Sequence, residues 1–441
     1  MNAVRLADAA PASTPSQIFE QARAREERLS RLLVVYVATG LAFMLLPGTF
    51  LGVWNLLSIS AREAPQSVSP AWLQAHGHAQ IFGWIGSFIL GIGFHSIARL
   101  QPRGRLARLA PWISWACWTL GVSLRWVGNV YGWGWRALLP LSAGLELAAF
   151  LVFFRQVSRD ERSAAGGTSG LDTWIRVVVG ATCGFLLALL VNAGGTVYVA
   201  VAGDSPAFPA SLDERFLPLA TWGFLVPFVW GFSARWLPTF MGLRATREAA
   251  LLSALGVNGA GVLLALAGLT LAASALAAAA SVMAPVALGL FQPGVRPAKT
   301  RGVHPSFPSF VRGAYAWAAA AALLAVVAAA ESSAGFWGAS RHALTVGFLA
   351  TMVFSVGQRI LPAFSGGRVL FSTRLMLWAL VLLNAGCALR VGGQVLAYEA
   401  LASWAWSVLP VSAVFELAAV STFAANLALT FLSPPPAPRV G

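Results

Sequence analysis

The sequence predicts an all-α integral membrane protein in which twelve transmembrane helices form three parallel four-helix repeats around a pseudo-threefold axis along the membrane normal. Three observations carry this. Of 441 residues, 58% are hydrophobic and 10% charged, with a mean hydropathy of +0.71, whereas about a quarter of a soluble domain is charged. Apolar runs long enough for a crossing of about 20 residues recur along the chain. Three of those runs align with one another without gaps.

Residues 1–31 contain ARAREERLSR but no apolar stretch of the kind a cleaved signal peptide needs, and they read as a cytoplasmic N-terminal segment. A single membrane domain, 32–432, follows. Its spans fall near 32–57, 78–98, 109–127, 137–154, 174–202, 216–240, 249–270, 272–292, 313–330, 342–363, 371–396 and 403–431. Stretches rich in Gly, Pro and Ser at 158–173 and 293–310 mark joins and divide it into repeats 32–157, 174–292 and 312–432.

The repeats rest on named residues. His78 to His95 in span 2 runs beside His342 to Arg359 in span 10 at an offset of 264 residues, with Gly83 opposite Gly347. In span 6, Gly223 to Arg235 aligns with Gly347 to Arg359, and Pro238 with Pro362. Gly121 and Arg125 in span 3 correspond to Gly386 and Arg390 in span 11, and Pro140 and Glu146 in span 4 to Pro410 and Glu416 in span 12. Same-handed repeats of an even number of helices stand parallel about a common axis.

The net charge of +14 does not indicate a nucleic-acid partner, because the basic residues lie between spans and form no soluble basic face. Arg99, Arg103, Arg105 and Arg108, then Arg155, Arg159 and Arg162, Arg244 and Arg247, Arg296, Lys299 and Arg301, and Arg368 and Arg374 follow the even-numbered spans 2 to 10. The positive-inside rule therefore puts both termini in the cytoplasm and His76 and His78 at the outer end of span 2. Cys117, Cys183 and Cys387 are scattered singly and read as small apolar fillers, neither disulfides nor structural zinc.

Three of the five histidines, His76, His78 and His95, lie in QAHGHAQIFGWIGSFILGIGFHSIARL, residues 74–100. Residues two apart on a helix point roughly 200° from one another, so His76 and His78 face different partners, and His95 lies about 26 Å further on, at the other membrane surface. Imidazole in hydrocarbon needs a partner. His342 opens span 10 at the position of His78, while the second repeat has no histidine. Two histidines at one depth on neighbouring helices are what axial ligation of a haem requires; the other reading is that a repeat simply duplicates residues. His304 lies in a cytoplasmic loop.

Arg125 and Arg390 fall in the outer third of the membrane, level with the histidines, and Arg341 adjoins His342. A guanidinium at that depth needs an anion, and haem propionates would serve; snorkelling to headgroups is the alternative. Glu146 and Glu416 sit near the midplane, as proton relays or as neutral acids bonding adjacent helices.

AHGHAQIFGWIGSF in span 2 and RHALTVGFLATMVFSVGQR in span 10 resemble the signature stretches of the NnrS family, membrane proteins associated with bacterial responses to nitric oxide and reported to carry haem and copper. More distantly, twelve helices in three arcs with histidines on spans 2 and 10 are similar to the catalytic subunits of haem–copper oxidases and nitric oxide reductases. The resemblance implies a protein of the bacterial inner membrane that handles nitric oxide, with lipids, a small gas (nitric oxide or oxygen) and an electron donor as partners. It implies one or two b-type haems, one of them low-spin and held by His342 with either His76 or His78. The matching repeat positions favour His78. In those oxidases spans 6 and 7 supply copper ligands; here neither contains a histidine, and no ligands for copper are evident. A divergent oxidase or reductase and a haem-free proton-coupled transporter are the alternative functions.

Overall fold

The structure is a computed structural model that describes residues 14–100, 109–164 and 172–434. Arg103, Arg105 and Arg108, and residues 165–171 of the first join, lie outside the described residues. Every regular element among those described is helical.

Among the described residues twelve long helices follow in order: α1 (Phe19–Arg62), α2 (Pro70–Ser96), α3 (Ala110–Tyr131), α4 (Trp135–Gln156), α5 (Thr173–Ala202), α6 (Ala210–Met241), α7 (Glu248–Leu266), α8 (Thr270–Ala287), α9 (Phe307–Glu331), α10 (Ala334–Phe364), α11 (Thr373–Tyr398) and α12 (Ala405–Leu432). Eleven of them are long and apolar enough to cross a membrane, which makes this an integral membrane protein. The exception is α3. Its 22 residues suffice in length, but Trp112, Trp115, Trp118, Trp126 and Arg125 dilute its apolar character. The helix that becomes α1 starts at Pro15, with Thr14 as its cap, so the N-terminal lead-in runs straight into the membrane.

The innermost helices are α2, α10 and α6, with 78%, 72% and 61% of their most apolar windows buried. All three have the same build. Each opens with a nine-residue α-helix (Pro70–His78, Ala210–Pro218, Ala334–His342), passes through a π-helical segment (Ala79–Gly86, Leu219–Leu225, Ala343–Ala350), and then returns to α-helix. The segments start in the register of the sequence alignment. Ser69 and Ser333 cap two of the short helices by accepting from Ala71 N and Phe336 N, a contribution of about 1 kcal/mol each.

A π turn carries an extra residue and interrupts the i→i−4 ladder, so carbonyls need partners from elsewhere. The equivalent carbonyls of Phe82, Trp222 and Val346 all find one. Trp118 Nε1 on α3 donates to Phe82 O at 3.1 Å, and Asn258 Nδ2 on α7 to Trp222 O at 2.7 Å. Thr351 Oγ1 donates to Val346 O at 3.4 Å and itself accepts from Asn384 Nδ2 on α11. A fourth π segment, Met44–Phe50, contains Pro47 and bends α1.

The short helices of α2, α6 and α10 gather at one end of the bundle. Gln74 and Phe208 clasp each other, side-chain amide to backbone, at 3.0 and 2.8 Å, and Asp213 lies within electrostatic range of both Arg125 and Arg341.

Candidate haem site

His76 and His78 lie two turns inside α2, because the hydrogen-bonded helix begins at Pro70. They reach different neighbours. His76 Nδ1 is 2.9 Å from Gly48 O, in the π segment of α1. A carbonyl only accepts, so Nδ1 carries the proton and Nε2 keeps its lone pair. The Cε1 edge of the ring abuts α1: a Cβ at Gly52 would fall 2.5 Å from His76 Cε1, closer than real Cβ atoms stand.

His342 is arranged alike by other means. Its Nδ1 is 2.8 Å from Gly338 O, one turn back on the same helix, which again leaves Nε2 as the free acceptor. The Gln394 amide fills the notch over Gly338, and Cys387 Sγ reaches His342 O at 3.8 Å. The two imidazoles lie within electrostatic range of each other, and Arg390 acts on both.

His78 is engaged elsewhere. Its Nε2 is 2.8 Å from Glu146 Oε1 on α4, and Glu146 Oε2 accepts from Asn192 Nδ2 on α5 at 3.3 Å. Phe82 stacks on the imidazole at 4.6 Å and 19°, and Phe216 continues the stack at 6.1 Å and 5°. Glu146 and Asn192 are wholly buried and His78 nearly so.

Arg125 and Arg390, 2% and 7% exposed, point into the protein. Arg125 lies over the Phe208 ring at 4.5 Å, a cation–π contact. Nε and Nη1 of both arginines are buried without a hydrogen-bond partner. Arg341, by contrast, is exposed, with its charge felt at His342 and Asp213. Glu416 Oε1 also lacks a partner, although Gly386 lets its Cγ approach within 2.9 Å of where a Cβ would stand, as Gly121 does for Glu146.

Other histidines stay apart. His95, fully buried toward the opposite end, stacks on Phe364 at 4.8 Å, and His304 bonds Ser306 in the α8–α9 connection. Sequence reasoning missed Gly48 and Gly52, which hold His76, and Gly338 and Gln394, which set His342. It also missed Asn55, buried on α1 with both amide atoms unpartnered. The Pro47–Gly48 dipeptide inside an apolar run was the one signal of the first pair.

The residues present fit a haem. Two imidazoles offer free Nε2 atoms, and two buried guanidinium groups hold Nε and Nη1 donors without hydrogen-bond partners. Copper finds no comparable set, since among the described residues no three His, Cys, Asp or Glu side chains converge.

The fold defines a helical integral membrane protein, and its architecture resembles that of a haem–copper oxidase. A cryo-EM structure described as a heme-copper terminal oxidase dimer matches with a TM-score of 0.70 over 93% of this chain and 85% of its own, at 11% identity. At that identity the likeness shows the fold alone. The chain belongs to the NnrS family: the family described as NnrS protein matches residues 21–434. No curated protein matches the sequence.

Proposed function

We propose that this is a haem-binding protein of the bacterial inner membrane that handles nitric oxide, with His76 and His342 as the axial ligands of one low-spin b-type haem. The observation that carries the reading is that both imidazoles are pinned through Nδ1 to backbone carbonyls, Gly48 O and Gly338 O. This fixes the tautomer with Nε2 free, as a ligating histidine is commonly held by a partner on its other nitrogen. His78, tied to Glu146 and covered by Phe82, stays out of ligation.

When bound, the haem would supply one-electron chemistry. The chain's residues do the rest. Gly52 leaves room for the His76 ring and Gly338 supplies the carbonyl that holds His342, and Arg390 and Arg125 would hold the propionates, with Arg341 at the exposed rim. In this reading α3 is the twelfth span, the helices form three parallel four-helix units, and both termini are cytoplasmic. The common π register of α2, α6 and α10 supports the repeats, and the Arg-rich even-numbered loops support the orientation. The association with nitric oxide rests on family membership. A second reading, a divergent terminal oxidase or nitric oxide reductase, is favoured by the shared fold.

Optical spectra of the purified protein test the proposal. A low-spin haem should be present, should vanish in both His76→Ala and His342→Ala, and should persist in His78→Ala. An unaltered low-spin signal in His342→Ala overturns it, and turnover of nitric oxide or oxygen would favour the enzyme reading.

A further inference from the structure

Two oppositely charged groups share the interface of α11 and α12 without touching. Arg390 and Glu416 each feel the other's charge, yet no ion pair joins them. Glu416 Oε1 and Arg390 Nε and Nη1 are all buried without partners. Gly386 draws the two helices together beside Glu416, and Arg390 stands one turn further along the same face of α11. An unpaired carboxylate in hydrocarbon is costly, so this arrangement resembles a proton-accepting group more than a structural pair.

The surroundings tie Glu416 to the haem site. The charged and titratable groups acting on it or on its partner are Arg390, Cys387 and Tyr398 of α11. Through Arg390 the chain of interaction continues to His76 of α2 and His342 of α10. The neighbouring segment of α1 adds only a neutral amide: Leu56 packs with Leu409 and Ala413 of α12, one turn before Glu416, and Asn55 beside it is buried and unpartnered.

Building on the haem reading above, we propose that Glu416 is a redox-linked proton acceptor for the site between His76 and His342. One electron from an outside one-electron donor enters that site, and one proton from water binds the Glu416 carboxylate, so the buried charge is unchanged. On oxidation the electron and the proton both leave. Arg390, between the two, transmits the field: a positive charge lost at the iron raises the affinity of Glu416 for a proton.

The test is a spectroelectrochemical titration of the full-length holoprotein across pH 6 to 9, with infrared difference spectra between oxidised and reduced forms. The midpoint potential should fall with rising pH, by up to about 59 mV for each tenfold change in proton activity. A protonated-carboxyl band should appear on reduction. Slope and band should vanish together in Glu416→Gln, return in Glu416→Asp, and persist in Glu146→Gln. A wild-type haem whose potential ignores pH, or a Glu416→Gln protein that keeps both signals, overturns this proposal alone. Wild-type protein without a low-spin haem overturns the haem reading as well. Should Glu416→Gln fail to fold, a wild-type titration without slope or carboxyl band still refutes the idea.

Discussion

The α2–α4 corner and the α10–α12 corner carry the same side chains in the same register, and they use them differently. His78, Gly121, Arg125 and Glu146 stand against His342, Gly386, Arg390 and Glu416. In the first corner histidine and glutamate bond at 2.8 Å and Asn192 braces the second carboxylate oxygen. In the last corner His342 turns back to Gly338 O and Glu416 Oε1 is left alone. The difference begins one turn before each histidine. Gln74 there is spent on the Phe208 backbone, whereas Gly338 has no side chain and leaves room for the Gln394 amide, so its carbonyl and the imidazole meet. The braces differ too. Asn192 of α5 reaches Glu146, but Asn55 of α1, buried beside α12, bonds nothing. A duplicated residue keeps its depth and loses its partner when one neighbour changes.

Removing each carboxylate in turn should show the largest contrast. Glu146→Ala strands His78 and Asn192 in a dry interior, and leaving buried hydrogen-bonding groups unsatisfied costs about 1–3 kcal/mol for each. Glu416→Ala removes a group whose Oε1 bonds no neighbour and should cost about 1 kcal/mol or less. Thermal melting of the two variants in one detergent checks this, and equal losses would mean that Glu416 has a partner the structure does not give it.

The sequence made the membrane class and the common register of α2, α6 and α10 legible, because apolar length and spacing are additive along the chain. The family was legible from residues 75–88 and 341–359. What it could not give was pairing. His78 and His342 align, and alignment favours His78 as the partner of His342; we propose His76 in its place, because its Nδ1 is held by Gly48 O while His78 Nε2 is engaged by Glu146. That choice depends on the π segment of α1, where Pro47 frees the Gly48 carbonyl, and on the missing side chain of Gly52. Neither effect leaves a periodic trace. The start of α2 was placed at residue 78, and not at Pro70, because QAHGH lowers the apolar average over a turn that is nonetheless helical.

A smaller effect separates the two glycines that fix the imidazoles. Gly52→Ala drives a methyl group into the rigid His76 ring, and overpacking of this kind costs about 1–3 kcal/mol. Gly338→Ala meets only the free end of Gln394, which can swing aside. Gly52→Ala should therefore lower haem occupancy and shift its spectrum, while Gly338→Ala should leave both close to wild type. Absorbance per protein after identical haem loading decides it, and the reverse order would place the sensitive ligand on α10.

The smallest expected change has the opposite sign. Asn55 is 2% exposed and neither amide atom has a partner, so folding strips it of water without return, at roughly 1–3 kcal/mol for such a group. Leucine is close to asparagine in shape and carries no such debt. If nothing polar occupies the seam between α1 and α12, Asn55→Leu should stabilise the haem-free protein by about 1 kcal/mol, seen as a melting temperature raised by a few degrees. Asn192→Leu, at the seam where the amide is bonded, should lower it. Should Asn55→Leu instead destabilise the loaded protein while stabilising the haem-free one, the amide serves the bound state.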